Sequence, residues 1–302
     1  MLKVQNKMKI LFIGPTRIGD TILSTSIINF YLQKYDDCSF SVITSPFAKD
    51  IYVNMPRLSK ILVVNKKRYG LHWLDIIRFS FFKRWDLVID LRSSITSYLL
   101  ATRTRKIFKG NNNFHKLIQF KKFLNTDKAI VPKVWYDTEV SSESLVKISN
   151  NQRMIAVAPY SNWSKKDWSI KKYKTLLENE FFKNYTIILT GISNDIRNKK
   201  EFDDFLNSSS LKIINLFDWG NLRHMVPIFE KCDFFIGSDS GLMHLSASAG
   251  CKTFALFGPT NDLVYGPWGN HTVIKSNNDM QDHELENLSV EKVINSIKEA
   301  LS

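Results

Sequence analysis

The sequence predicts an α/β protein made of two doubly wound halves. Three observations carry this: two separate series of short apolar runs alternating with helix-spaced stretches, a polar junction between the series, and a length of 302 residues, about two ordinary domains. The boundary is expected at 145/146, inside the serine-containing stretch Glu139–Asn151, so the halves are 1–145 and 146–302.

The first series opens with Met8–Ile13 (MKILFI), an apolar run stopped by Gly14-Pro15. It is followed by Thr21–Tyr35, whose apolar residues fall at helical spacing. Strands are expected at Ser39–Thr44, Ile61–Val64 and Asp86–Leu91, with a helix at Trp73–Phe82. Thr102–Lys133 interrupts the rhythm. It is rich in Arg, Lys and Asn and reads as a loop-rich segment holding one basic amphipathic helix around Phe114, Leu117, Ile118, Phe120, Phe123 and Leu124. Packing of that apolar face into a core is the ordinary outcome, with contact to a membrane surface as the other.

The second series places strands at Met154–Ala158, Thr186–Thr190, Lys212–Leu216, Phe234–Gly237, Thr253–Phe257 and Thr272–Lys275. Helices fit at Ile170–Glu180, Ile196–Leu206, Leu222–Lys231 and Leu242–Ala249. Val290–Leu301 reads as a terminal helix, because Ser289 stands where an N-cap belongs and Glu291 lies in the first turn.

Composition narrows the function. Three scattered cysteines, none in C-x-x-C, make neither a disulfide framework nor a Cys-rich zinc site and suit a reducing cytosol. No apolar run reaches the ~18 residues of a membrane span, and Met1–Lys7 are too polar for a signal peptide, so a cytoplasmic protein is expected. The net charge of +13 is unevenly placed. Residues 1–150 hold 25 Lys and Arg against 11 Asp and Glu, a net of +14, while residues 151–302 hold 17 against 18, a net of −1. That field favours anionic partners on the first half.

The motifs that hydrolyse nucleoside triphosphates, bind dinucleotides or form a nucleophile elbow are absent from the sequence. The informative block is Ile236–Pro267, where one strand runs into Ser238-Asp239-Ser240-Gly241 with His244 in the next helical turn, and another into Phe257-Gly258-Pro259-Thr260. Small residues at a helix N-terminus leave backbone N–H groups aimed outward beside the positive helix end, which suits phosphate. Asp239 or Ser240 could equally serve as a helix cap with His244 packed behind it.

Taken together, Asp239-Ser240-Gly241-Leu242-Met243-His244, Leu256–Thr260, the opening Met8–Asp20 (MKILFIGPTRIGD), Asp86–Ser94 (DLVIDLRSS) and Lys166-Asp167-Trp168 resemble glycosyltransferase family nine, the ADP-heptose:lipopolysaccharide heptosyltransferases. The resemblance implies a GT-B fold, two Rossmann-like domains facing across a cleft, with acceptor bound by 1–145 and nucleotide-sugar by 146–302. It implies an inverting, metal-independent reaction that uses no cofactor and takes a nucleotide-sugar, ADP-heptose, as substrate. Asp20 matches the family's general base and Lys166 the lysine on the donor phosphate. Ser238, Asp239, Ser240, Gly241 and His244 become diphosphate and sugar contacts, and Gly220-Asn221 the place of the base. The family's acidic ribose contact has its nearest counterparts in Asn194 and Asp195.

Arg17, Arg92, Arg103 and Arg105 are candidates for an anionic acceptor, a lipopolysaccharide inner core or other surface glycan met at the cytoplasmic face of the inner membrane. A nucleic-acid-binding module is the alternative for the basic half, but it lacks any recognition motif, and nucleic acid is not an expected partner. A non-catalytic glycan-binding protein on the same fold is the other alternative, expected to have lost Asp20, Lys166 or the S-D-S-G turn.

Overall fold

Every strand of the computed structural model pairs parallel to its neighbours. Parallel strands need crossover connections, and these are mostly helices here. The structure describes residues 7–65, 72–148, 153–276 and 284–302. The expected polar N-terminus up to residue 6 and residues 149–152, where the expected junction ends, lie outside these. The chain divides into two units, Met1–Asp137 and Thr138–Ser302.

Among the described residues unit 1 holds five strands, β1 (Met8–Ile13), β2 (Cys38–Thr44), β3 (Leu58–Val63), β4 (Trp85–Asp90) and β5 (Thr102–Ile107), in the order β3-β2-β1-β4-β5. Helices α1 (Ile18–Lys34) and α4 (Lys116–Leu124) cover one face, and α2 (His72–Ser80) and α3 (Ile95–Tyr98) the other. The strand period of two makes this division. Ile10, Phe12, Leu87 and Ile89 pack with Leu23 and Ile27 of α1 and with Leu117 and Phe120 of α4, whereas Leu11, Ile13 and Val88 pack with Ile76 of α2 and with Leu100.

Unit 2 holds β6 (Arg153–Ala158), β7 (Tyr185–Gly191), β8 (Lys212–Phe217), β9 (Phe234–Ser238), β10 (Lys252–Phe257) and β11 (His271–Lys275), ordered β11-β10-β9-β6-β7-β8. Helices α5 (Thr138–Val146), α6 (Ile170–Leu177), α7 (Lys199–Leu206), α8 (Leu222–Lys231), α9 (Gly241–Ser248), α10 (Asp262–Tyr265) and α11 (Val290–Leu301) surround them. The expected cap of α11 is present, Ser289 accepting from the Lys292 N–H.

Two expectations are corrected, and one ordinary outcome is met. Thr102–Lys133 is not only loop and helix, because its first six residues (TRTRKI) form β5 at the sheet edge, where a strand needs no apolar face and charged side chains discourage further pairing. The basic helix in that segment is α4, and its apolar residues Leu117, Phe120 and Leu124 are core. The polar stretch from Thr138 is no linker but α5, which buries Val140 and Ser144 one turn apart and packs on α8.

Among the described residues no helix is long and apolar enough to cross a membrane. All three cysteines are free and buried, and burial pushes the Cys232 thiol well up and the Cys251 thiol to about 12. The native protein should therefore resist iodoacetamide at neutral pH while the urea-unfolded chain reacts with all three thiols; rapid native labelling would contradict this packing.

Candidate functional site

In both sheets the strand order reverses direction beside the first strand, between β1 and β4 in unit 1 and between β6 and β9 in unit 2. Ligand crevices of open α/β sheets form at the carboxyl ends of the strands at such points, because the flanking loops diverge to opposite faces.

In unit 2 the loop after β6 carries Lys166-Asp167-Trp168, and successive side chains do different work. Trp168 is fully buried, edge-on to Tyr173 at 5.0 Å, and its indole N–H donates to the Leu288 carbonyl at 2.9 Å. Asp167 accepts from the Ser161 N–H at 2.8 Å, the Ser161 hydroxyl at 3.0 Å and Arg197 Nε at 2.8 Å, closing the loop on itself. Burial still pushes its carboxyl above the usual range. Lys166, between these anchors, reaches the neighbouring β9 turn. Its Nζ lies 2.8 Å from Asp239 Oδ2 and 3.2 Å from the Asp239 carbonyl, with the two side chains only 18% and 10% exposed. Replacing Trp168 with Ala should cost about 3–5 kcal/mol, lowering the melting temperature by roughly 10 °C. An unchanged melt would show that the indole does not anchor this loop.

The β9 turn is shaped by Gly237, where a Cβ would come within 2.9 Å of the Ala158 carbonyl on β6. Ser240 is the N-cap of α9, accepting from the Met243 N–H, which decides the cap in favour of Ser240 over Asp239. Asp239 instead lies between Lys166 and His244, whose Nε2 is 4.0 Å from Asp239 Oδ1. Ser238 is fully buried, and among the described residues its hydroxyl has no hydrogen-bond partner, as is also true of the Thr260 hydroxyl beyond the adjacent β10. A buried hydroxyl left unpaired costs free energy that a polar ligand recovers. With the first amides of α9, this turn can receive an anion beside a lysine.

Three strands from β9, beyond β8, Gly220 adopts φ +65, a conformation that favours glycine, and Asn221 caps α8 in a capping box with His224. The His224 Nε2 is 2.9 Å from Glu143 of α5, and the half-buried Trp219 meets the His224 ring edge-on at 5.5 Å. Asn194 and Asp195 form a 3-10 turn after β7, where burial raises the Asp195 carboxyl. At ~4.8 Å per strand, the β8, β7, β6, β9 and β10 loops span about 19 Å in that order.

In unit 1, Asp20 is half-buried in the first turn of α1, three residues after the N-cap Arg17. It is therefore not the N-cap that a helix beginning at Thr21 would make it. The turn before it is held by the Thr21 hydroxyl on the Arg17 carbonyl at 2.8 Å and by the Ser45 hydroxyl on the Thr16 carbonyl at 3.0 Å. Across the switch point, Asp90 is fully buried and accepts from the Arg92 N–H and from the Ser94 N–H and hydroxyl at 2.7–2.8 Å, which builds the turn that presents Arg92.

The four arginines are not brought together. Arg17 and Arg92 sit at the carboxyl ends of β1 and β4, while Arg103 starts β5 at the opposite end of the sheet, 3.4 Å from Asp86. The Arg105 guanidinium is committed to the carbonyls of Ser97, Tyr98 and Leu100, closing the end of α3.

The sequence model of glycosyltransferase family 9 (heptosyltransferase) matches residues 112–294, more than half of the chain. The chain belongs to glycosyltransferase family 9. Lipooligosaccharide heptosyltransferase 2 of Campylobacter jejuni is 25% identical over 274 residues, covering 87% of this chain and 85% of its own. The crystal structure of the family 9 glycosyl transferase from Veillonella parvula superposes with a TM-score of 0.83 at 18% identity, covering 98% and 97% of the two chains. The Escherichia coli ADP-heptose lps heptosyltransferase II superposes at 0.76 with 19% identity, covering 97% and 98%. The fold is thus the GT-B fold of these glycosyltransferases.

The matched span contains every unit 2 site residue and starts after Asp20, Asp90 and Arg92. Sequence reasoning named Lys166 and Asp239 separately, both as ligand contacts, and missed that they bind each other. It also missed Arg197, whose long reach to Asp167 leaves no local pattern, and Trp219, a lone aromatic beside the Gly220 turn.

Proposed function

We propose that the protein transfers heptose from ADP-heptose to an anionic acceptor, the lipopolysaccharide inner core or a related surface glycan, with inversion at the anomeric carbon and without a metal ion. The observation that carries this reading is the convergence of Lys166, Asp239, the unpaired Ser238 hydroxyl and the α9 N-terminus at the switch point of unit 2. Among the similar proteins, one is named a lipooligosaccharide heptosyltransferase and one an ADP-heptose lps heptosyltransferase, which supports this donor and acceptor.

On this reading unit 2 binds the donor and unit 1 the acceptor. The base rests against the Trp219–Asn221 turn, the ribose near Asn194 and Asp195, and the diphosphate between Lys166 and the first amides of α9, an order that follows the strand sequence. Asp239, an acceptor-only carboxylate, repels phosphate and takes sugar hydroxyls while holding the lysine. Lys166 has three N–H donors and serves both neighbours, and His244 backs Asp239.

In the transfer the acceptor oxygen bonds to the anomeric carbon on the face opposite the diphosphate, and the carbon–oxygen bond to ADP breaks. The proton passes to the Asp20 carboxylate. Lys166 meets the charge that develops on the departing phosphate, the work a divalent ion does elsewhere.

The experiment is a thermal-shift panel with ADP-, GDP- and UDP-sugars. A donor at 100 times its dissociation constant adds about 2.7 kcal/mol, so ADP-heptose should raise the melting temperature by several degrees, with EDTA present or absent. No shift with any nucleotide-sugar overturns the reading, and a strict requirement for added divalent metal overturns the lysine-for-metal argument.

A further inference from the structure

Among the described residues of unit 1, large apolar side chains are exposed together on the α2/α3 face of its sheet. Phe82 is 85% exposed, Ile95 79%, Leu99 59% and Tyr98 58%, with Leu74 and Phe81 also exposed. They belong to two adjacent helices and the turns that follow them. Isolated exposed apolar residues are normal on a protein surface, but a contiguous group marks an interaction site.

The group is built rather than loose. The buried Trp85 donates its indole N–H to the Ser80 carbonyl at 3.0 Å, fixing the turn from which the edge-on pair Phe81 and Phe82 project. Arg105 fixes the end of α3 through its three carbonyl contacts and lies 5.8 Å from the Tyr98 ring.

The surroundings are cationic. Arg78 and Arg84 are exposed on α2 and its following turn, Arg103 stands at the start of β5, and the pKa of the Lys83 ammonium is lowered first by partial burial and then by the charge of Lys60. Of the nearby carboxylates, Asp86 faces Arg103 and Asp75 is half-buried. Residues 1–137 as a whole hold 24 Lys and Arg against 9 Asp and Glu, a net of +15.

We propose that the α2/α3 face of unit 1 docks the enzyme on an anionic lipid bilayer, with Phe82, Ile95, Tyr98 and Leu99 entering the headgroup boundary and the surrounding arginines and lysines meeting lipid phosphates. Aromatic and aliphatic side chains on a short amphipathic surface partition into that boundary, and a negative leaflet attracts the cationic rim. A second copy of the chain is disfavoured as occupant, because it would bring two strongly positive units face to face. The proposal rests on this surface alone and not on which sugar is transferred.

The test is co-sedimentation of the full chain with phosphatidylethanolamine/phosphatidylglycerol vesicles and with phosphatidylcholine vesicles, without nucleotide-sugar. Binding to the anionic vesicles at least tenfold tighter than to the neutral ones is expected. The triple variant Phe81→Ser, Phe82→Ser, Leu99→Ser and the double variant Arg78→Glu, Arg84→Glu should each weaken it about tenfold or more, while the thermal shift produced by ADP stays as in the parent protein. The shift also reports that each variant is folded and that the donor reading stands or falls separately. Undiminished vesicle binding by both variants overturns the proposal, as does a parent dimer in size-exclusion chromatography that the triple variant turns into a monomer without loss of vesicle binding.

Discussion

Lys166→Ala should lower kcat/KM by roughly 10²–10³, the usual effect of removing one group that stabilises charge developing in the transition state, and should weaken donor binding as well. The lysine is largely shielded and paired at 2.8 Å with Asp239, so the single variant also leaves a carboxylate without its counter-ion. Uncompensated buried charge is destabilising in its own right. The double variant Lys166→Ala, Asp239→Asn removes both charges and should regain much of the lost melting temperature without regaining activity. If activity returns with stability, the lysine holds the loop together and the phosphate charge is met elsewhere.

Asp20→Asn should leave the donor-induced thermal shift nearly intact and reduce kcat by about 10²–10⁴, because assistance by a general base acts in the transition state. Asn keeps the size of the side chain in the first turn of α1 and loses its negative charge and its capacity to take a proton. The turn beside it is also held by the Thr21 hydroxyl on the Arg17 carbonyl. A rate near that of the parent enzyme would reduce Asp20 to a first-turn carboxylate favoured by the positive helix end.

The strands that pack on both faces were legible in the sequence almost to the residue. Met8–Ile13 and Leu222–Lys231 have the expected limits, because a doubly covered strand must be continuously apolar and an amphipathic helix must repeat near 3.6. What escaped was structure that needs no apolar signature. β5 is polar because it is an edge, α5 is polar because only Val140 and Ser144 are buried, and α1 starts three residues early because Ile18-Gly19-Asp20 continue a helix whose buried serines and threonines bond back to its own carbonyls.

The site was legible as a set of residues and not as an arrangement. Lys166 and Asp239 are 73 positions apart, and only the placement of β6 beside β9 makes them partners. The same ordering of strands separates Arg103 from Arg17 and Arg92, and Arg105 turned inward for a reason no local pattern announces. The charge excess of the first half was visible from counting, and the apolar face of α4 is core as its spacing suggests, but nothing in the sequence singled out the exposed apolar side chains of α2 and α3.

The most direct measurement is mass spectrometry of a heptose-deficient lipopolysaccharide acceptor incubated with the purified protein and ADP-heptose in EDTA, with ADP quantified in parallel. The expected result is an acceptor heavier by one heptose residue, one ADP released per transfer, and a new glycosidic bond of anomeric configuration opposite to that of the donor. An acceptor unchanged in mass although ADP-heptose binds, or a product that forms only with added divalent metal or retains the donor's configuration, would contradict the account.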